Sequence, residues 1–506
     1  MDSKKNFYIT TPIYYVNDVP HIGHAYTTLA CDTVARYKRL AGCDVKFLTG
    51  TDEHGQKVEK AAKDRGITPT EFVDQVSQKF RDLVTVMETT HDDFIRTTED
   101  RHIKAVQHLW NELVKRDQIY LGHYEGWYAI RDEAFYNEKE LIDGKAPTGA
   151  PVEWVREPSY FFRLSNWQEK LLEFYKENPT FIEPESRRNE VVRFVEGGLH
   201  DLSVSRTSFS WGVPVPNSPE HVVYVWLDAL TNYITALGYP ENTDSFAKYW
   251  PNSCHVVGKD ILRFHAVYWP AFLMAADLPA PQKVFAHGWW TNEGEKISKS
   301  LGNAIDPFEL IETFGLDAVR YFLMREVPFG QDGDFSRDSL ITRYNSDLAN
   351  SYGNLVQRVL SFIYKNCGGI VPKAAELTPS DKALWDAVDC LPKVLEGDMD
   401  HFAFHKYADH IWSVISLANQ YIDEQKPWAL LKSGEVARMQ TVLYVLVEAI
   451  RKIAIFTQPL LINASAAILD QLAVPEYKRQ FDHFAEAINP GTALPEPTGV
   501  FPRWQG

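Results

Sequence analysis

Two short runs, far apart in the chain, carry residue types suited to one reaction: His21-Ile22-Gly23-His24 and Lys296-Ile297-Ser298-Lys299-Ser300. The first follows a β-rich run and opens a helical pattern, so its backbone N–H groups and the positive end of the helix dipole favour phosphate. His21 and His24 add imidazole donors there, and Gly23 leaves room for a base or ribose against the backbone. In the second run two ammonium groups flank Ser298. They are spaced to offset charge on a pentavalent α-phosphorus and on departing pyrophosphate. Such a reaction needs no protein nucleophile, because positioning and charge stabilisation suffice. Neither run decides the matter alone: two histidines read as well as ordinary core or surface residues, and a lysine-bearing loop as solvated chain. Taken together and in this order they point to adenylate-forming chemistry, with His21, His24, Lys296 and Lys299 as its catalytic groups.

Other residues supply what such a site needs. Asp52 ends a strand pattern, where a carboxylate faces the ligand crevice of an α/β sheet. It suits a substrate ammonium group, or equally the cap of the helix pattern from Gln56 to Arg65. Gly258-Lys259-Asp260 closes another strand in the same way, and Asp260 suits ribose hydroxyls. Trp226, Ala229 and Tyr233 fall on one helical face. With Ile13, Tyr15, Ile261, Phe264 and His265 they are either core packing or the wall of a pocket for an unbranched thioether. Sulfur against aromatic rings contributes roughly 0.3–1.5 kcal/mol, too little for specificity by itself, so a hydroxyl such as that of Tyr15 would have to help. Asn354 and Arg358, four apart, share one helix face, and an amide and a guanidinium can read the edges of unpaired bases. Trp428, beside Pro427, offers a ring for base stacking, worth roughly 1–3 kcal/mol. A surface arginine and a buried tryptophan are the plainer readings of those last two.

The elements that must position these groups follow from the pattern. Phe7 to Thr11 is a strand stopped by Pro12, residues 25–40 are helical and end near Gly42, and Asp44 to Gly50 is a second strand. That is a βαβ unit with the His21 turn at a helix N-terminus. Thr68-Pro69-Thr70-Glu71 is a capping box with proline at the first helical position. From about Tyr120 to Pro216 aromatics, Gly and Pro multiply, as in an inserted α+β module. Strands resume at Val222, Cys254 and Val284, and after about Asp306 the chain reads as almost wholly helical.

Bulk properties set limits. A chain of 506 residues is too long for one core. No apolar run is long enough to cross a bilayer, and the first residues lack signal-peptide character, so the reading is a cytoplasmic protein. Five scattered cysteines, none in a CxxC pair, read as buried reduced thiols and argue against a disulfide framework or a zinc knuckle. A net charge of −16 counts against a non-specific nucleic-acid binder, though not against an enzyme that meets one shaped RNA through a local patch.

These residues together resemble the bacterial methionyl-tRNA synthetases, class I enzymes, over nearly the whole chain. The resemblance rests on Thr11-Pro12-Ile13-Tyr14-Tyr15, His21-Ile22-Gly23-His24, Gly50-Thr51-Asp52-Glu53-His54-Gly55, Tyr224-Val225-Trp226-Leu227-Asp228-Ala229, Gly258-Lys259-Asp260-Ile261 and the lysine run, in which Ile297 replaces the more frequent Met. It implies ATP-dependent attachment of methionine to its tRNA through methionyl-adenylate, serving initiation and elongation. ATP and the adenylate would be held by His21, Gly23, His24, Gly258, Asp260, Lys296, Ser298 and Lys299. Methionine would be held by Ile13, Tyr15, Asp52, Trp226, Ala229, Tyr233, Ile261 and His265, with Asp52 on the ammonium group and Arg206 nearby. Asn354, Arg358 and Trp428 would read the anticodon.

The implied architecture is α/β: a Rossmann-type parallel sheet split by an α+β insertion, then an all-α anticodon-binding bundle. Its expected bounds are 1–116 and 221–292 for the two catalytic halves and 117–220 for the insertion over the acceptor end. A stem-contact region with the lysine loop would cover 293–345, and the helical domain and tail 346–506. Many relatives carry cysteine zinc knuckles in the insertion; this insertion has no cysteine, so the expected cofactors are ATP and Mg2+ without zinc. No appended OB-fold follows, so a monomer is expected. The expected partners are methionine, ATP and the initiator and elongator methionine tRNAs, with no membrane. A cysteinyl- or leucyl-type class I synthetase, a small-molecule nucleotidyltransferase and a non-catalytic RNA-binding protein are the alternatives. The first is disfavoured by the missing zinc cysteines and the second by the long helical half. The third is disfavoured by the net charge and the lysine pair.

Overall fold

A computed structural model describes residues 5–16, 19–132, 134–297 and 304–505. The chain divides into two compact units, one built from residues 6–31 and 46–287, the other from 1–5, 32–45 and 288–506. The division falls inside the helix Ile22–Leu40.

The first unit is organised by a seven-stranded sheet. Its strands run in the order Tyr14–Tyr15, Asp44–Asp52, Asn6–Thr10, Ser253–Gly258, Lys283–His287, Ile182–Glu183, with Asp93–Arg96 also paired to Asp44–Asp52. The registers run parallel, as Tyr8↔Ser253, Val256↔Phe285 and Thr49↔Phe94 illustrate. The strands are buried almost end to end (Ser253 to Val257, Val284 to His287), as expected when helices cover both faces of a parallel sheet. Asn6–Thr10 sits where the order reverses, with the second-formed strand on one side and the later strands on the other. This is the switch point at which such sheets bind ligands. Tyr8, Trp110, Trp250, Trp269 and Tyr233 are fully buried in the core behind it. The capping box forms as the sequence predicts: Thr68 accepts from Glu71 N–H while the Glu71 carboxylate accepts from Thr68 N–H, opening the helix Pro69–Val86.

The segment between 117 and 220 forms a four-stranded sheet (Ala134–Tyr136, Ile119–Ala129, Glu153–Phe162, Leu202–Ser203) and contributes Ser205–Arg206, Pro214–Val215 and the start of Ser218–Val223 to a three-stranded one. It also returns Ile182–Glu183 to the edge of the parallel sheet, with Ile182 opposite Val284 and Glu183 opposite Phe285.

The second unit begins with a small sheet of Glu295–Lys296, Trp290–Asn292 and Gly333–Phe335. The sequence pattern misses all three strands, which are only two or three residues long. Helices follow. Val436–Thr457 runs through the middle, buried without interruption from Thr441 to its end. Its charged residues are all engaged: Glu448 bonds Arg451 and accepts from Ile488 N–H at 3.0 Å, and Lys452 meets Asp389 at 2.5 Å. The thiols depart from the sequence reading, since Cys31 and Cys254 are buried but Cys390 is exposed.

Candidate active site

The turn before Ile22–Leu40 is closed by imidazoles rather than by a hydroxyl or carboxylate cap. Gly23 N–H donates to His21 Nδ1 at 3.1 Å, and His21 N–H donates to His24 Nδ1 at 3.1 Å. Since both Nδ1 atoms accept, each neutral ring carries its proton on Nε2 and keeps that N–H as a donor. Burial lowers the pKa of His21, and burial together with the charge of His21 lowers that of His24 further. Both rings are therefore neutral donors at pH 7. They pack at 3.9 Å, with Tyr14 and Phe80 against His24 at 4.8 and 5.1 Å. The first turn carries no acid, so nothing offsets its partial positive charge. Gly23 has a reason beside the one the sequence suggests. A Cβ there would lie 2.9 Å from His21 Cε1, so a glycine lets the His21 ring fold back.

Asp52 is buried at the end of Asp44–Asp52 and stands opposite Tyr15 in register with the two-residue strand Tyr14–Tyr15. The helix that follows is capped by Gly55 without a side-chain bond, so the helix-cap reading of Asp52 does not hold. Trp226, Ala229 and Tyr233 lie on Val225–Thr235. Trp226 stacks on Phe264 at 3.8 Å and meets His265 edge-on at 6.1 Å. The Tyr233 hydroxyl donates to His265 Nε2 at 2.7 Å, and His265 Nδ1–H donates to the Ile261 carbonyl at 2.9 Å. Burial pushes the His265 imidazole down to about 4, so this tautomer is fixed and neutral. His255 stacks on the other side of Tyr233 at 4.0 Å and bonds Thr10 at 2.9 Å. Ile13, Trp226 and Ile261 pack half-buried against the same core. The result is an aromatic wall with few, fully oriented polar groups.

Sequence reasoning missed the polar network behind that wall. Asp228, fully buried, meets His54 Nδ1 at 2.6 Å and His102 Nε2 at 2.7 Å. Burial alone would raise its pKa, but the charge and hydrogen bonds of the two imidazoles outweigh it and hold the carboxyl down at about 2. The signal was present: a lone carboxylate inside Val-Trp-Leu-Asp-Ala-Leu must find a buried partner.

Gly258 closes its strand beside His287, and a Cβ on it would lie 2.5 Å from Asp260 Oδ1. The glycine thus lets the Asp260 carboxylate fold over the strand end. His287 Nε2 meets the Thr27 hydroxyl at 2.7 Å, and Thr27 donates to the Gly23 carbonyl at 3.1 Å, tying the neighbouring strand Lys283–His287 to the His21 turn. Arg206 is buried, donates to Ser203 at 2.8 Å and lies 4.4 Å over the Tyr224 ring.

In the second unit Lys296 stands on a hairpin rather than a loop. Thr291 pairs with Lys296 across the two-residue turn Glu293-Gly294, both with positive φ, as a right-twisted hairpin favours. Asp334 fixes the turn by accepting from Gly294 N–H at 2.8 Å and from Thr291 at 2.6 Å. Ser298, Lys299 and Ser300 lie outside the described residues. Asn354 and Arg358 stand on Asn354–Asn366, with Asn354 exposed. Arg358 bonds Asp423 at 2.6 Å and lies 5.6 Å over the Trp428 ring. The helix Phe404–Gln425 ends just before Pro427, which starts the helix Pro427–Ser433, and Trp428 is 38% exposed.

Comparison with known proteins converges on this architecture. The family model "tRNA synthetases class I (M)" matches residues 7–151 and 139–360, and "Anticodon binding domain of methionyl tRNA ligase" matches 371–505. The chain belongs to the methionyl class I tRNA synthetases. As a member it is a methionine–tRNA ligase with a Rossmann-type catalytic fold and a helical anticodon-binding domain. It is 56% identical to the Rickettsia felis methionine–tRNA ligase, with 99% of each chain covered. It is 54% identical to that of Brucella suis, over 99% of this chain and 98% of the other. Mycobacterium tuberculosis methionyl-tRNA synthetase, solved in complex with methionyl-adenylate, is similar at TM-score 0.96 and 50% identity, covering 99% of this chain and 100% of that one. Its apo form gives a TM-score of 0.90 at 47% identity, covering 100% and 99%. Among the described residues no helix is long and apolar enough to cross a membrane.

Proposed function

We propose that the chain activates methionine with Mg-ATP to methionyl-adenylate and then transfers the methionyl group to initiator and elongator methionine tRNA in the cytoplasm. The observation that carries this reading is the His21–His24 turn: two neutral imidazoles with their free protons on Nε2, at a helix end without an acid. In the first step the methionine carboxylate attacks the α-phosphorus and pyrophosphate leaves. Negative charge grows on the phosphate oxygens, and donors already oriented toward it stabilise it without reorganising. His21, Gly23, His24, Gly258 and Asp260 hold the nucleotide, and Lys296, Ser298 and Lys299 supply the remaining donors and charge for the phosphates. Asp52 holds the α-ammonium group. Ile13, Tyr15, Trp226, Ala229, Tyr233, Ile261 and His265 enclose the thioether, where aromatic faces favour sulfur. The adenylate in the mycobacterial relative supports the intermediate. In the second step a hydroxyl of the terminal adenosine attacks the adenylate carbonyl and AMP leaves.

The division of labour follows. Residues 1–116 and 221–292 form the catalytic domain and 117–220 the insertion over the acceptor end. Residues 293–345 meet the stem, and 346–506 read the anticodon through Asn354, Arg358 and Trp428. The absence of cysteine from 117–220 supports a zinc-free enzyme, and we assign it as a monomer.

ATP–pyrophosphate exchange across the twenty amino acids tests the reading, using EDTA-stripped protein resupplied with magnesium alone. Exchange with methionine only is the expected result. Exchange with another amino acid would overturn the pocket, and recovery only on adding zinc would overturn the metal assignment.

A further inference from the structure

We propose that Asp228 is a positioning residue for methionine, clamped between His54 and His102 so that the helix carrying Trp226, Ala229 and Tyr233 keeps one register against the strand end carrying Asp52. The inference rests on the reading in which those residues bind methionine.

Methionine must reach two places at once, the aromatic wall and the carboxylate of Asp52. Those places stand on different elements, and the bond between His54 and Asp228 spans 174 residues of sequence. His54 lies two residues beyond Asp52. Asp228 lies two residues after Trp226 and one before Ala229. The 2.6 Å bond between them therefore joins the strand end that carries Asp52 to the helix that carries Trp226 and Ala229. The second oxygen of Asp228 is held by His102 at 2.7 Å, on Asp100–Lys115. The other nitrogen of His102 meets Thr235 at 3.2 Å, seven residues along from Asp228 on the pocket helix, so one imidazole grips that helix at two places two turns apart. The strand end is fixed from its other side as well. The buried carboxylate of Glu53 takes bonds from Thr51 at 2.9 Å, Arg96 at 2.7 Å and Thr98 at 2.5 Å, and Glu53 N–H donates to Thr97 at 2.9 Å.

Cohesion alone does not ask for this arrangement. Apolar packing is non-directional, and a buried carboxylate is costly even when paired, so apolar side chains such as leucine in place of all three polar groups would bind the layers at least as well. What leucine lacks is direction: hydrogen bonds weaken steeply with angle, and two on one carboxylate fix both translation and rotation of the helix. A substrate held at both ends reads that register directly.

The test compares Asp228→Leu with Asp228→Asn in the full-length enzyme. Asparagine keeps the shape, and with one imidazole changing tautomer it keeps both hydrogen bonds; leucine keeps only the volume. For Asp228→Leu the expected result is a KM for methionine in pyrophosphate exchange raised about tenfold, the scale of a sub-ångström misplacement of a bound group. The KM for ATP stays unchanged. Inhibition by 3-(methylthio)propanoate, which fills the wall but lacks the ammonium group, also stays unchanged. Asp228→Asn restores methionine affinity. Should Asp228→Leu fail to fold, His54→Ala against His54→Asn, which keeps a donor at the Nδ1 position, is expected to give the same split. Equal weakening of methionine and 3-(methylthio)propanoate, or of methionine and ATP, would overturn the proposal, as would loss of melting temperature with KM intact. An unmodified enzyme that shows no methionine-dependent exchange would instead overturn the reading beneath it.

Discussion

The imidazoles of His21 and His24 differ from two surface histidines in one respect: each already has its Nδ1 occupied by a backbone N–H. Replacing His24 with Ala removes one oriented donor and is expected to slow pyrophosphate exchange by about 10²–10³. Methionine binding, followed by tryptophan fluorescence, is expected to stay intact, and His24→Gln, which places an amide near the lost Nε2, to recover part of the rate. The buried histidines also set an acid limit. His265 is neutral in the folded protein down to about 4 but titrates at the ordinary 6.5 when unfolded. Over that interval the unfolded chain binds the extra proton, so stability is full above 6.5 and falls as the pH drops toward 4. The loss for this one group amounts to roughly 3 kcal/mol. Urea titrations from pH 7 to 4 are expected to show the decline, and His265→Gln a shallower one. At this scale the sequence reveals residue types with far fewer of their partners. His21, His24 and Asp52 are conspicuous for their chemistry. His54, His102 and Asp228 lie far apart in the chain, and only the fold shows that they meet.

Elements of ordinary length were legible, and very short ones were not. Asn6–Thr10, Ile22–Leu40 and Pro69–Val86 announce themselves by β-branched runs, helical spacing and caps. Tyr14–Tyr15, which sets Tyr15 opposite Asp52, is two residues long, and no periodicity can be read from two residues. The same holds for Glu295–Lys296. Pro427 occupies the first helical position just after Phe404–Gln425 stops, where its missing N–H costs nothing. Lys426 before it takes a left-handed conformation, φ 48°, which joins Phe404–Gln425 to the helix that presents Trp428. Lys426→Gly removes the strain of that conformation, of order 1 kcal/mol, and is expected to leave the melting temperature unchanged or slightly higher, where a mid-helix glycine would lower it. In the His21 turn, Gly23→Ala forces its new methyl against the His21 ring at 2.9 Å. It is expected to reduce exchange about as much as loss of one histidine, with the far-ultraviolet circular dichroism unchanged.

Across the whole molecule, the residues proposed to line the methionine pocket and those proposed to read the anticodon belong to different units, and substitutions separate them. Trp428→Ala removes a stacking surface worth roughly 1–3 kcal/mol. Aminoacylation is expected to fall about 5- to 150-fold in kcat/KM while tRNA-free pyrophosphate exchange stays at the unmodified rate. Equal loss of both would place Trp428 in the support of the fold rather than in RNA recognition. The succession of a sheet region and a helical part was readable from the pattern, because helical periodicity follows the strands, but not that residues 32–45 join the later part. What composition could not show is that the middle segment gives a strand back. Ile182–Glu183 covers the outer side of Lys283–His287, with Phe181 accepting from Val284 N–H at 2.7 Å and Lys283 reaching Glu183 at 3.0 Å. The segment is therefore not a detachable accessory. Excising it to make a minimal enzyme would strip a seam of backbone donors and acceptors on a flat, apolar strand, and such a seam recruits the same strand from another copy. A shortened chain would fail first by sticking to itself, before its chemistry could be assayed, unless the trimming spared the few residues that close the sheet.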